Sequence, residues 1–510
     1  MASPSRPVNA LPETDVDAGQ PPADLTGAVV SGVLWKATTR GVAEVTRVVV
    51  VIVLARLLTP ADYGVAGMAL VITSFGMMFT DPALGAALIQ RPTIDERDRS
   101  TVFWTAAGLG AALTVLALAL SGFVADFFGE AQVQDLFAVS SLCFMIIGLA
   151  VAHRALLTRR LAYRSLEIRQ MASIVTGGAT AIVVAVAGFG PWAIVSNFVA
   201  YSVMSTVLAW LLLDWRPKAV YSLDSVRNLG GFSTRIFSAT LLSWGNLNLD
   251  KALVGRFLGA APLGAYSLAY NTMLMPVVLV SGTIHQAVSP AYSRIQQDRE
   301  RLERVWLRSR RLSVALVAPA LTAVIVVAPD LVDVVFGEKW DDVVVPLQLL
   351  CLGGIASSLS ALNWSVLQAS GEAGALLRLT LLTSVVTWSA FAAGLAWGIV
   401  GVAAFYAAAR WLLVIPTTWM TTRGVSFDFW ATLRAGAGIL PIALGAGAVA
   451  YGAREVLLGT ELPAALRLAL VGLVMSVAYL ALLFLMAPSL VREIRQVVRQ
   501  RRSRRGEPAR

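Results

Sequence analysis

The polar positions of this chain fall in short clusters that punctuate long apolar runs. A run of about 20 apolar residues crosses a ~30 Å hydrocarbon core as one helix. Marking runs of that kind gives fourteen segments, near 29–57, 63–88, 100–124, 133–157, 164–188, 191–213, 233–258, 263–287, 312–329, 343–369, 375–397, 399–421, 433–453 and 464–487. The chain is therefore predicted to be an all-α integral membrane protein with about 14 transmembrane helices. The narrowest break is Trp397-Gly398, which alone separates segments 11 and 12.

One pattern repeats. "LARLLTPADYGVAGMA" at 54–69 is echoed by "VGRFLGAAPLGAYSLA" at 254–269, with Arg56 and Arg256, Leu58 and Leu258, Ala61 and Ala261, Gly64 and Gly264, and Ala69 and Ala269 in register. A weaker echo joins "AHRALLTRR" (152–160) to "LNWSVLQAS" (362–370). Six segments separate the copies of the first motif. An even number means both enter the membrane from the same side, as parallel repeats about the membrane normal do. The predicted layout is a tail at 1–27, a six-helix lobe at 28–228, a second at 229–422, two appended helices at 423–488, and a basic tail at 489–510. Two such lobes suit alternating access; an inert duplicated bundle is the bland alternative.

Basic residues set the orientation. With the N-terminus in the cytoplasm, most of the 41 Lys and Arg residues fall on inner connections. Examples are Arg154, Arg159, Arg160 and Arg164, the cluster from Arg294 to Arg311, and the final arginines from Arg492 to Arg510. Arg56, Arg256, Lys339, Arg454 and Arg467 are the exceptions on outer connections, where acids such as Asp330, Asp333 and Glu338 collect. Both termini are predicted to be cytoplasmic, in a bacterial cytoplasmic (inner) membrane. The tail "VREIRQVVRQRRSRR" follows a span directly, so it reads as an anchor on anionic membrane lipids rather than a nucleic-acid site. "SRIQQDRERLERVWLRSRR" (293–311) reads as a basic interfacial helix with Leu302, Val305 and Trp306 on its apolar side.

Composition narrows the chemistry. Charged residues make up 14% of the chain, well under the ~25% of soluble domains. Cys143 and Cys351 lie inside apolar runs and offer neither a disulfide framework nor a zinc spacing. Two histidines leave little for a metal or His-based catalytic centre, and no metal or other cofactor is predicted. The absence of a G-x-x-x-x-G-K-[ST] run, and of an inner loop large enough for an ATPase domain, argues against a built-in nucleotide-driven pump.

Charge inside the spans is the candidate chemistry. Lys36, Arg40, Glu44 and Arg47 are spaced 4, 4 and 3, one stripe along about 16 Å of segment 1. A charge at the bilayer centre costs about 2.5–3.5 kcal/mol on insertion scales, so the stripe must face protein or water. Segment 7, its repeat partner, carries Trp244, Asn246, Asn248, Asp250 and Lys251, and segment 12 adds Arg410. Lys36, Arg40, Arg47, Lys251 and Arg410 outnumber Glu44 and Asp250, an imbalance that favours an anion-binding cavity, since guanidinium forks match phosphate oxygens. Against this, Lys36 has a snorkelling alternative, and Glu44 has a purely structural role open to it, neutralising Arg40 and Arg47. Glu44 and Asp250 are otherwise the charge-balancing or coupling candidates. Trp244, Asn246, Asn248, Asn363 and Trp364 are candidate sugar contacts, with interfacial tryptophan as the default for Trp364. His285, Asp81 and Gln368 are weaker candidates.

The charged first segment ending "ARLLTPADYGVAGMA", the following "DPALGAALIQR", and the later "LDKALVGRFLGAAPLGAYSLAYN" and "SPAYSRIQ" resemble the Wzx-type polysaccharide exporters of the multidrug/oligosaccharidyl-lipid/polysaccharide superfamily. Within that family the chain is most similar to the colanic-acid type, over roughly residues 28–490. The resemblance implies two six-helix lobes with two extra helices and a V-shaped cationic cavity. It also implies transfer of an undecaprenyl-diphosphate-linked oligosaccharide from the inner to the outer leaflet, for exopolysaccharide or O-antigen export. Basic residues of segments 1 and 7 would hold the diphosphate and acidic sugars. A polysaccharide polymerase or other export machinery would be the natural partner, with no nucleic acid involved. Coupling in relatives is ascribed to membrane potential or ion gradients, and no residue here demands either. A lipid II flippase shares the cationic cavity and stays open as an alternative. A drug or cation antiporter would need an acidic or apolar cavity. A membrane-embedded polymerase or ligase would be expected to present a large outer loop, whereas the longest outer connection, 329–343, is short and acidic.

Overall fold

The computed structural model describes the backbone of residues 25–80, 93–223 and 233–488, with 85, 88, 89 and 91 between them. Side chains are described within those ranges from residue 41 onward, apart from 233–240 and 287. Among the described residues a helix lies in each apolar segment predicted, though segment 63–88 ends among residues outside the description: α1 (Leu25–Leu57), α2 (Pro60–Thr80), α3 (Glu96–Phe128), α4 (Gln132–Gly148), α5 (Tyr163–Val186), α6 (Trp192–Leu211) and α7 (Ser233–Leu258). There follow α8 (Ala260–Arg294), α9 (Arg299–Leu331), α10 (Val344–Ser360), α11 (Ala373–Gly394), α12 (Gly398–Val425), α13 (Leu440–Leu458) and α14 (Ala464–Met486). No strand occurs among the described residues. Among the described residues ten helical runs are long and apolar enough to cross a membrane, or eleven with α4 and its continuation Val151–Arg159 taken as one span bent by 44°. Helices α1 and α7 are outside that set, and both carry several of the polar and charged positions.

Local chemistry sets the helix ends. Asp95 caps α3 by accepting from the Asp98 amide at 2.7 Å, and Gly129 ends that helix at φ 74°. Thr59 and Asp62 bond reciprocally ahead of α2, with Pro60 at its first position. The Trp397-Gly398 break is real: a single 3₁₀ turn, Leu395–Trp397, separates α11 from α12.

Three boundaries differ from expectation. The separate interfacial helix over 293–311 does not exist as such; α9 starts at Arg299 and runs straight into the ninth apolar segment. Its apolar side was correctly placed, since Leu302 and Trp306 are buried. Helix α10 breaks after Ser360 and resumes as Asn363–Ala369, and a short helix, Phe429–Ala437, precedes α13.

Neighbouring helices pair as α3 with α4, α5 with α6, α10 and α11 with α12, and α13 with α14. Helix α1 lies against α5, while α2 touches both α4 and α8. The last two helices are fastened at the predicted outer end: Asp330, 2% exposed at the end of α9, accepts from Arg454 Nε at 2.9 Å and Arg467 Nε at 2.6 Å. Asp330→Asn would leave two guanidinium groups facing each other across a site that has lost its carboxylate, a change costing about 3 kcal/mol. The expected result is a thermal unfolding midpoint lowered by several degrees in detergent. An unchanged midpoint would show that this triad does not hold α13 and α14 in place.

That triad also explains two exceptions to the basic-inside pattern. Of the other three, Arg256 stacks on Phe127 and Phe257 at 5.6 and 5.9 Å. Arg56 and Lys339 belong to the seam described next.

Candidate functional site

The repeated turn motif meets itself. At the start of α2, a Cβ on Gly64 would lie 1.7 Å from the carbonyl oxygen of Ala260; at the start of α8, a Cβ on Gly264 would lie 1.9 Å from that of Pro60. The two helix starts are thus in backbone contact, reciprocally, and only glycine permits it. This is why an arginine, a short turn and a glycine recur 200 residues apart. The motifs are the two halves of one crossing.

The C-terminal end of α1 reinforces that seam. Arg56 Nε donates to the Val335 carbonyl at 3.0 Å, and its Nη2 donates to the carbonyls of Asp333, at 3.2 Å, and Val334. In return Lys339 Nζ donates to Arg56 O at 2.7 Å and Trp340 Nε1 to Ala55 O at 2.9 Å. The Trp340 ring meets Tyr63 edge-on at 5.2 Å. The sequence alone places Arg56 on an outer connection; the structure adds that its guanidinium clasps the backbone of 333–335. An ammonium is a single point of donation and cannot span three carbonyls from one fork. Arg56→Lys is expected to weaken the clasp and lower transport several-fold, measured at matched membrane abundance, with wild-type rates overturning the assignment.

Further along α7 lies a second cluster. Asp250 is fully buried and accepts from Tyr266 Oη at 2.9 Å and from the Lys251 amide at 2.8 Å. Lys251 Nζ sits 5.2 Å from the centre of the Tyr270 ring, and Arg410 Cζ sits 5.2 Å from that of Tyr406. Those two rings are 6.3 Å apart, with Tyr266 stacked beyond one and Phe391 beyond the other. Two cations therefore lie on adjacent aromatic faces, and among the described residues no carboxylate lies within 4 Å of either, although the adjacent Asp250 carboxylate interacts electrostatically with Lys251. A cation held on a ring keeps donors to spare for an arriving anion.

The structure brings Asp250, Lys251 and Arg410 together. It leaves Arg47 in a 3.0 Å ion pair with Glu44 on α1, with Arg47 exposed. The side chains of Lys36 and Arg40, and residue Asp81, lie outside the described residues. Trp244 bonds Ser74 Oγ of α2 at 2.9 Å and packs on Phe75, so it spans the seam. Asn246 donates to Ser384 Oγ at 2.9 Å, and Asn248 back-bonds to Trp244 O at 3.2 Å. Asn363 is corrected as a sugar contact: it is 1% exposed, its carbonyl taken up by a buried guanidinium. Trp364 and Gln368 beside it are exposed, and His285 Nδ1 lies 2.5 Å from Ser365 Oγ. A groove of about 530 Å³ lined by Thr176, Phe189, Trp192 and Val199 contains no charged group and is remote from this chemistry.

Sequence reasoning missed Tyr266, Tyr270 and Tyr406. The first two sit four apart in "AYSLAYN", the spacing of one helix face, at the end of the repeated motif. That signal was legible; Tyr406 had none.

Comparison with known proteins agrees with this architecture. The family described as "Polysaccharide biosynthesis protein" matches residues 53–345. Lipopolysaccharide biosynthesis protein WzxC of Escherichia coli (strain K12) is 28% identical over 348 residues, covering 67% of this chain and 70% of that protein. Teichuronic acid biosynthesis protein TuaB of Bacillus subtilis (strain 168) is 27% identical over 405 residues, covering 76% and 83%. Among solved structures, the lipid II flippase MurJ in an inward closed conformation superposes with a TM-score of 0.75 at 14% identity, covering 90% of this chain and all of that one. At that identity the likeness is one of fold.

Proposed function

The chain belongs to the polysaccharide biosynthesis protein family, and from that premise we propose that it carries an anionic, polyprenyl-diphosphate-linked oligosaccharide from the inner to the outer leaflet of the cytoplasmic membrane. It acts as a transporter and makes or breaks no bond in its cargo. Residues 28–228 and 229–422 act as two lobes that rock about the seam, with 423–488 appended and both termini cytoplasmic. The observation that carries this reading is the pairing of a close crossing, at Gly64 and Gly264, with Lys251 and Arg410 held on aromatic faces and without an ion pair within 4 Å among the described residues. An apolar or cationic cargo would gain nothing from those charges. The diphosphate takes the place of their missing counter-ions, with Arg47, Arg40 and Lys36 as further contacts along α1 and Asp250 setting the local charge balance. The polyprenyl tail stays in lipid, and anionic lipids steady the basic tail at 489–510.

Vesicles reconstituted with the purified protein test this. Labelled acidic lipid-linked oligosaccharide should cross faster than in empty vesicles, and mass analysis should show its chain length unchanged. Faster transfer of lipid II than of the oligosaccharide would favour the lipid II reading. Lengthened product would overturn transport in favour of a polymerase.

A further inference from the structure

The two lobes also echo each other at the end of their third helix. "FGEAQ" at 128–132, where α3 ends, matches "FGEKW" at 336–340, just after α9, and Cys143 and Cys351 follow at the same spacing. The repeated arginines reach these ends crosswise. Arg56 of the first lobe lies against the end of α9, and Arg256 of the second lies on Phe127 at the end of α3. The crossing at Gly64 and Gly264 therefore has two edges built from equivalent residues.

The edges are not held alike. At the Arg56 edge five hydrogen bonds cross between the lobes, three from the Arg56 fork and one each returned by Lys339 and Trp340. At the other edge Ala131 and Gln132 stand where Lys339 and Trp340 stand, so the ammonium and the indole are missing. A Cβ on Gly337 would lie 3.0 Å from Arg56 Nη1, whereas one on Gly129 would meet nothing within 4 Å. Arg256 makes no hydrogen bond or ion pair among the described residues and rests only on Phe127 and Phe257. Below it the packing is apolar: a Cβ on Gly255 would lie 3.1 Å from the Phe128 ring and 3.3 Å from Met68 Cγ.

The helix ends explain the difference. Carbonyls in the last turn of a helix need donors from elsewhere. Helix α3 closes its own end, with the Gly129 and Glu130 amides both donating to Ala125 O, at 2.8 and 3.2 Å. Helix α9 runs on into a π-helical turn, Val332–Phe336, and its carbonyls take the Arg56 fork instead. Parting the Arg56 edge strips donors from backbone carbonyls where hydrocarbon offers no substitute. Parting the Arg256 edge exchanges apolar contacts for lipid chains, which are as apolar, and gives up an exposed cation–ring contact of small worth.

We propose that the predicted outer end opens along the Arg256 edge and turns about the Arg56 edge, and that the cargo leaves for the outer leaflet between α3 and α7, past Arg256. The direction of opening stands on the unequal edges alone; the exit route rests on the transport reading.

Spin labels on equivalent pairs test it in the full chain, reconstituted in lipid nanodiscs: Glu130→Cys with Ala261→Cys across the Arg256 edge, and Glu338→Cys with Ala61→Cys across the Arg56 edge. Cys143 and Cys351 are buried and so escape labelling. Pulsed electron paramagnetic resonance should give the first pair a second, longer distance when acidic lipid-linked oligosaccharide is added, and also when Gly64→Ala is introduced without cargo. The second pair should keep a single distance in both conditions. Lys339→Ala with Trp340→Phe removes both returned donors and should let the second pair lengthen too. Equal or greater lengthening across the Arg56 edge in the chain that keeps Lys339 and Trp340 overturns the proposal, as does a first pair that lengthens in neither condition. Lengthening with Gly64→Ala but not with cargo would uphold the direction of opening and overturn the exit route together with the transport reading.

Discussion

Gly64→Ala and Gly264→Ala are each expected to stop transport while opening the outer seam. A Cβ 1.7 or 1.9 Å from a carbonyl oxygen has no rotamer in which to escape, so the backbones of α2 and α8 must separate by more than 1 Å. Overpacking of a tight core costs about 1–3 kcal/mol, and a clash against backbone belongs at the top of that range. At about 1.4 kcal/mol per factor of ten, the outward-closed arrangement would lose roughly a hundredfold in population. Transport needs that arrangement once per cycle, so the rate should fall at least tenfold. Ala69→Cys reports the opening directly: Ala69 is fully buried at the seam, and both native cysteines, Cys143 and Cys351, are buried as well. An impermeant thiol reagent applied from outside should label Ala69→Cys several-fold faster when Gly64→Ala or Gly264→Ala is present. Normal export with no new labelling would mean that the crossing is not a moving seam.

Lys251→Met and Arg410→Met carry the second large effect. Each removes a cation from the aromatic ladder and leaves its apolar packing on Tyr270 or Tyr406 largely in place. A hydrogen bond to a charged group contributes about 1.5–3 kcal/mol, so each variant should transport at least tenfold more slowly. Arg410→Lys should recover only part of the loss, because the bidentate fork is gone. Arg47→Ala is expected to slow transport less than either, because Arg47 is exposed and already shares its charge with Glu44, so its contact with the cargo is screened by solvent. Export would be measured as cell-surface polysaccharide at matched membrane abundance. Wild-type export by both Lys251→Met and Arg410→Met would reduce the cluster to a packing device and remove the cationic-site mechanism.

What was readable along the chain was whatever a helix decides by itself. Hydropathy over about twenty residues predicted the helical segments, because a lipid-spanning helix satisfies its backbone internally and needs no partner to be recognised. The echo of Arg56 and Gly64 at Arg256 and Gly264 was visible in the same way, and so was the charge carried by α1 and α7. What the chain could not express was which charges remain free. Arg56 looked like a loose turn residue until the carbonyls of 333–335 came to it, and Arg310 looked solvated until Asn363, Thr418 and Gly436 closed around it. Asn363 looked like a sugar contact for the same reason, and Arg454 and Arg467 looked like exceptions until Asp330 reached both. Hydropathy is a sum over neighbours in sequence, whereas the fate of a buried charge depends on neighbours in space. Here those partners lie from 53 to more than 270 residues away, and only the packing of the helices brings them within reach.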